Sequence, residues 1–197
     1  MDDYLKDHIR FLKFVKGVDS IDANRLAKAA EAQKYFDAAE NFYRASQTIY
    51  YNLNKEGSEE KELGMINVFN VNHSFAIELY LKCLICIEKG EVKGKNRNHL
   101  LFKLYSVLST STQERIKHLY NESSLKLQHA TVFLVNPNED DFVEILKEID
   151  TPFEIFRYYF EKGVELPIYK LNNAVSCIRA VIFEVEELIH QKYAALF

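Results

Sequence analysis

Apolar residues recur at three-and-four spacing over most of this chain, and wherever the spacing breaks the sequence supplies glycine, proline or a run of charge. From Asp22 to about Asn54 the positions Leu26, Ala29, Phe36, Ala39, Tyr43, Ser46, Tyr50 and Leu53 mark one face and predict a helix of about thirty residues, favoured further by its alanines. The charged run Lys55 to Leu63 reads as a connector. A second long helix is expected from about Met65 to Lys89, ending at the glycine-containing loop that follows.

Within this second helix, all but two of the thirteen residues from Phe75 to Ile87 are apolar, and the exceptions are Glu78 and Lys82. At about 100° per residue, Asn67, Asn70, Ser74, Glu78 and Lys82 share an arc roughly 120° wide. The two charges therefore extend a polar seam. Glu four residues before Lys is the favourable helical order. In a central helix both charges would be buried, and losing one partner is then expected to hurt more than losing both.

The rest of the chain is punctuated in the same way. Asp2 to Lys16 predicts a short amphipathic helix that stops at Gly17. Asn98 suits a cap for a helix from His99 to Leu108, and Ser111 with Glu114 suits a capping box for another, Thr112 to about Asn121. Residues 124–137 read as a loop or distorted helix, since Thr131 to Val135 has strand propensity without a partner strand. Glu139 to Ile149 is periodic again. Thr151, Pro152 and Glu154 have the order of a helix start, for a segment ending near Gly163. After Pro167, an apolar stripe from Leu171 to Ile189 predicts a closing helix over about 170–195. The expectation is an all-α protein, an antiparallel helical bundle of about six to eight helices forming one domain over residues 1–197. The aromatic residues Tyr35, Phe36, Phe42, Tyr43, Tyr50 and Tyr51 fall on or beside the first stripe and are expected to be packing anchors.

Composition narrows the function classes. The 197 residues are 48% hydrophobic and 27% charged with a net charge of −4, which fits a folded globular chain and gives no global basic field for nucleic acid or an anionic membrane. The opening MDDYLKDHIR has acids first and does not read as a secretory signal, and no apolar run reaches the roughly 20 residues of a membrane span. Cys83, Cys86 and Cys177 form no even disulfide framework, and a CxxC inside a helix reads as buried thiols; a cytoplasmic location without membrane contact is expected.

Few positions suggest chemistry. Glu187 and His190 have the Glu-x-x-His spacing of di-iron bundles, but such a site needs a second copy and further carboxylates, so no metal and no cofactor is expected. No nucleophile elbow, zinc-helix motif, Walker-type loop or dinucleotide fingerprint occurs. The densest local charge is Lys93, Lys95, Arg97, His99 and Lys103, where a loop runs into a helix start; it reads first as a solvated basic turn, and as the alternative suits a phosphate. Arg157, with Tyr158, Tyr159 and Glu161, suits either a polar core network, the favoured reading, or RNA stacking.

Two stretches carry a resemblance. Ala76-Ile77-Glu78-Leu79-Tyr80-Leu81-Lys82, then the glycine-containing basic loop, then Asn98-His99-Leu100-Leu101-Phe102-Lys103-Leu104, resemble HEPN domains, a helical family of nucleotide- and RNA-associated proteins. The later Phe153 to Glu161 is similar to the closing core helix of several members. The resemblance covers about Asn67 to Lys162, flanked by the long helices 22–54 and 170–195. It implies a bundle that is often a homodimer and is found in toxin–antitoxin, phage-defence and RNA-processing systems, with RNA, a nucleotide or a protein encoded by a neighbouring gene as partner. Ribonucleolytic members carry an Arg followed after four to six residues by a His, and none of the seven arginines here has a His at that spacing. The expected function is a non-catalytic RNA-, nucleotide- or partner-binding module, with a divergent, metal-independent ribonuclease acting as a dimer as the alternative.

Overall fold

The computed structural model describes residues 23–56, 59–94, 98–130, 142–150 and 168–194, with side chains over 31–52, 64–94, 98–124, 142–150 and 170–185. Among them the chain is all helical: α1 Ala23–Glu56, α2 Glu59–Lys89, α3 Leu101–Val107, α4 Thr110–Ala130, α5 Phe142–Glu148 and α6 Ile168–Ala194. The expected helices at Asp2 to Lys16 and Thr151 to Gly163, and the strand-prone Thr131 to Val135, lie outside the described residues.

Three long helices form the body. Ring pairs Phe36 with Tyr80, Phe42 with Phe75 and Tyr50 with Phe69 step in opposite directions along α1 and α2, so the two are antiparallel. The pairs Phe36 with Phe183, Glu40 with Arg179 and Gln47 with Asn172 likewise set α6 antiparallel to α1 and so parallel to α2. Ile77, Tyr80, Leu81, Leu84 and Ile85 of α2 are fully enclosed, and Ala174, Val175 and Ile178 of α6 join them in one core. Helix α4 lies on α6 through Arg115 with Glu184 and Asn173 with Tyr120 and Ser124. Phe142 of α5 closes one end against Tyr105 and Tyr120.

Several boundaries differ from the sequence reading, each for a local reason. The expected connector Lys55 to Leu63 is helical on both sides of residues 57–58, because glutamate and lysine have high helix propensity. Helix α2 stops at Gly90, whose φ of 88° and N–H bond to the Cys86 carbonyl make a left-handed glycine cap. The start of α4 is two residues earlier than the Ser111 box: Ser109 Oγ accepts the Thr112 N–H at 3.3 Å, and Glu88 of α2 binds the Ser109 N–H, the Ser109 hydroxyl and the Thr112 hydroxyl. Helix α4 then continues through Ala130 and absorbs the first part of 124–137. Asn98 does not cap α3; its Oδ1 accepts the Leu100 N–H in a local turn, and the Phe102 N–H is instead bound by Asp150 at 2.7 Å. The aromatic residues of α1 divide. Phe36 is buried and Tyr35 and Tyr43 pack partly on the core, whereas Phe42, Tyr50 and Tyr51 are exposed, the last at 61%.

Two polar knots sit inside this body. In the first, Glu40 of α1 accepts the Tyr80 hydroxyl at 2.6 Å and both Nε and Nη2 of Arg179, whose guanidinium also lies over the rings of Phe183 and Tyr43. Burial pushes the Glu40 carboxyl up, but hydrogen bonds from Arg179 and Tyr80 and the charges of Arg179 and Arg44 outweigh it and hold the group below the usual carboxylate range. The Tyr80 hydroxyl is driven up, by burial first and then by Glu40, and stays protonated. In the second knot His73 of α2, stacked on Phe69 at 4.0 Å, meets Asn172 of α6, which also accepts from Gln47 of α1. Cys83, Cys86 and Cys177 are buried and in no disulfide, and burial raises the Cys86 and Cys177 thiols to about 12, which favours the protonated thiol over the nucleophilic thiolate.

Burial lowers the His73 imidazole to about 4, against smaller opposing effects of Asn172 and the Phe69 carbonyl. Its folded-state value thus lies below the unfolded value near 6.5. The unfolded chain binds the extra proton between these limits, so stability is complete above about pH 6.5 and falls as pH drops towards about 4. The loss at the lower limit approaches about 3 kcal/mol. Melting curves across this window are expected to show that slope in the native chain and a flattened one in His73→Gln, while acid loss below about pH 4.5 from Glu40 persists in both.

Candidate functional site

Glu78 occupies the middle of α2, enclosed by the hydrophobic residues around it, and its side chain is 6% exposed. A lone carboxylate there would be strongly unfavourable. One turn on, Lys82 donates from Nζ to Glu78 Oε1 at 2.6 Å, with only 9% of its own side chain exposed. The same oxygen accepts from His99 Nδ1 at 2.9 Å, across 21 residues of sequence. A carboxylate oxygen can only accept, so Nδ1 carries the proton of this bond. The His99 side chain is 79% exposed. One ring nitrogen is tied to the interior while the rest of the ring faces solvent.

The loop and helix that hold His99 are fastened at both ends. Gly90 and Gly94 take positive φ and turn the chain back after α2. Asn98 forms its local turn immediately before the histidine, and Asp150 anchors the first turn of α3. Lys89 of α2 donates to the Val107 carbonyl at the end of α3. His99 thus sits on a short, braced segment directly above the Glu78 and Lys82 pair.

The expected anion site fares less simply. Lys93 is exposed and pairs with Glu91, so its charge is partly compensated at the surface. Lys103 is exposed on α3, with Lys147 of α5 close to the neighbouring Phe102 ring. Lys95, Arg97, Arg157 and Tyr158 lie outside the described residues. The helix start that suited a phosphate is already served by a carboxylate, because Asp150 takes the Phe102 N–H, and its charge opposes a second anion there. What the structure brings together from the expected residues is His99 with Glu78 and Lys82.

Elsewhere the polar pairs brace helices: Arg115 forms a bidentate pair with Glu184, and His118 lies 3.7 Å from Glu122. The side chains of Glu187 and His190 lie outside the described residues. Among the described residues no group of three or more His, Cys, Asp or Glu is arranged to hold a metal ion, and no helix is long and apolar enough to cross a membrane. Comparison with protein-family models, with curated proteins and with solved structures finds no match.

The geometry of the ion pair yields a test. Glu78→Met leaves Lys82 buried without its partner and is expected to cost about 3–5 kcal/mol. Lys82→Met leaves Glu78 with the His99 bond alone and is expected to fall towards the lower end of that range. The joint Glu78→Met, Lys82→Met variant removes both charges, keeps the volume, and is expected to lose less than either single change. Chemical denaturation of the three variants measures this, and additive losses would remove the pair from the account of the core.

Proposed function

We propose that this chain is a HEPN-like helical module that binds the phosphate-bearing surface of RNA or a nucleotide without cleaving it, with His99 and Lys103 as contact residues. The observation that supports the reading is the bond between Glu78 and His99. The two stretches that resemble the family, 76–82 and 98–104, meet through their polar residues, which helical periodicity alone does not require. The absent Arg and His spacing favours binding over cleavage. Exposed Lys103 contributes donors beside the imidazole edge of His99, while the acidic net charge confines attraction to a local patch. The family resemblance further supports a homodimer in the cytoplasm of a prokaryotic defence or stress system, with a protein from a neighbouring gene as a further partner.

One observation favours a second reading, a divergent metal-independent ribonuclease. A buried carboxylate that fixes Nδ1 of an exposed histidine leaves Nε2 free to accept the proton of a ribose 2′-hydroxyl, as general-base catalysis requires.

Both readings answer to one set of measurements. Fluorescence anisotropy with a labelled single-stranded RNA and with a nucleoside triphosphate should show binding that weakens as salt rises. His99→Ala and Lys103→Ala should each lower the affinity, and loss of a phosphate contact should reduce the salt slope for RNA by about one. Failure to bind either ligand at low salt would remove the binding proposal. Gel analysis of the same RNA in excess chelator separates the alternatives: intact RNA supports the module, and cleavage abolished by His99→Ala supports the ribonuclease.

A further inference from the structure

Asn67 Oδ1, Asn70 Oδ1, His73 Nδ1 and Ser74 Oγ of α2 are shielded from solvent and have no hydrogen-bond partner within the protein. Asn70 is 1% exposed and His73 and Ser74 are fully buried. The chemistry of these atoms can be specified. Asn172 Oδ1 accepts from Gln47 Nε2 at 2.9 Å and lies 3.3 Å from His73 Nε2, and a carbonyl oxygen cannot donate. In one ring tautomer His73 Nε2 donates to Asn172 and Nδ1 presents a lone pair; in the other, with the amides turned, Nδ1 carries the proton. The group comprises two carbonyl acceptors, a ring nitrogen whose role follows the tautomer and one hydroxyl that can act either way. The two carbonyl oxygens cannot satisfy each other.

Their placement on the helix is equally definite. Asn67, His73 and Ser74 are each three or four residues from Asn70, the spacing at which side chains on a helix are neighbours about 5–6 Å apart. A single small molecule beside Asn70 can bridge such a separation. Each polar atom left unmet costs about 1–3 kcal/mol, and four such costs approach the whole stability of an ordinary domain. An occupant with hydrogens to donate would offset that cost.

Charge decides which occupant. Glu78, the carboxylate one turn beyond Ser74, already holds Lys82 and His99. A cation among the remaining neutral acceptors would be buried without a counter-charge, at a cost of several kcal/mol. Water donates twice, accepts twice and carries no charge. It also tolerates either orientation of the two asparagine amides, since a turned amide presents a donor that water accepts.

We propose that the Asn67 to Ser74 stretch of α2 is an internal water-binding site centred on Asn70, in which about two waters, each making about three hydrogen bonds, satisfy the four unpartnered atoms. The waters prolong inward the polar seam that ends at Glu78 and Lys82. The site is distinct from the surface site built on His99, and its test does not depend on RNA or nucleotide binding.

A crystal structure of the full chain at a resolution that shows ordered water is expected to place density about 2.7–3.2 Å from the Asn70 side-chain oxygen and from at least one of Asn67, His73 and Ser74. In solution, water-selected nuclear Overhauser spectra of isotope-labelled protein are expected to show long-lived water at the Asn70 side-chain amide. Ser74→Ala should weaken that signal and Asn70→Leu should abolish the site. If either variant fails to fold, the native crystal and spectra still decide. A dry site, with the four atoms bonded to protein groups by rearranged side chains, would overturn the proposal. So would a melting temperature raised by ammonium chloride but not by sodium chloride, which would assign the site to a cation.

Discussion

The core of this protein is built around a charge that hydrophobic burial alone would exclude. Glu78 lies in the middle of α2 among residues that are almost entirely apolar, and it is tolerable there because Lys82 reaches the same oxygen within one helical turn. The pair is local in sequence, so α2 can present it already formed when the other helices pack. Its net contribution need not be large to matter. An unmatched partner would cost far more than the matched pair gains, and this asymmetry fixes both side chains in one arrangement. His99 is held by that arrangement, since its anchoring oxygen is the one Lys82 also binds.

Most of the fold was legible because helix periodicity is a local signal. The stripes of α1, α2 and α6 identified these helices, and the spacing of Glu78 and Lys82 anticipated a contact four residues apart on one surface. The errors arose where distant residues decide a local outcome. Ser109 and Ser111 both begin plausible capping sequences, and Glu88, in a different helix, selects the first. Asn98 is a good cap by type, yet Asp150 reaches the α3 amide from 48 residues away. Phe42, Tyr50 and Tyr51 belong to the same periodic segment as Phe36, but position along the helix relative to its partners leaves them at the surface.

The candidate site was legible in its parts and not in its connection. Glu78 and Lys82 stood out as charges in an apolar run, and His99 as a member of a basic cluster. That His99 turns towards Glu78 rather than joining the lysines depends on the reversal at Gly90 and Gly94 and on the bracing of α3. His73 was passed over altogether. Its partners are Asn172, at a separation of 99 residues, and Gln47, which meets it only through Asn172, so no spacing rule would find them. The one available clue was its membership of the face next to the asparagines and serine of the seam.

The knot of Glu40, Tyr80 and Arg179 has a mechanical meaning. It joins the three long helices at one level through bonds that depend on direction, and Arg179 is further clasped between two rings. Apolar surfaces can slide past one another by small steps, but a forked guanidinium engaged with both oxygens of a carboxylate has no neighbouring position of equal energy. Sliding of α6 along α1 is thereby opposed at that level. The contacts of Asn172 with Gln47 and His73 pin the same three helices a second time about two turns away, so these helices are held in register rather than merely in contact.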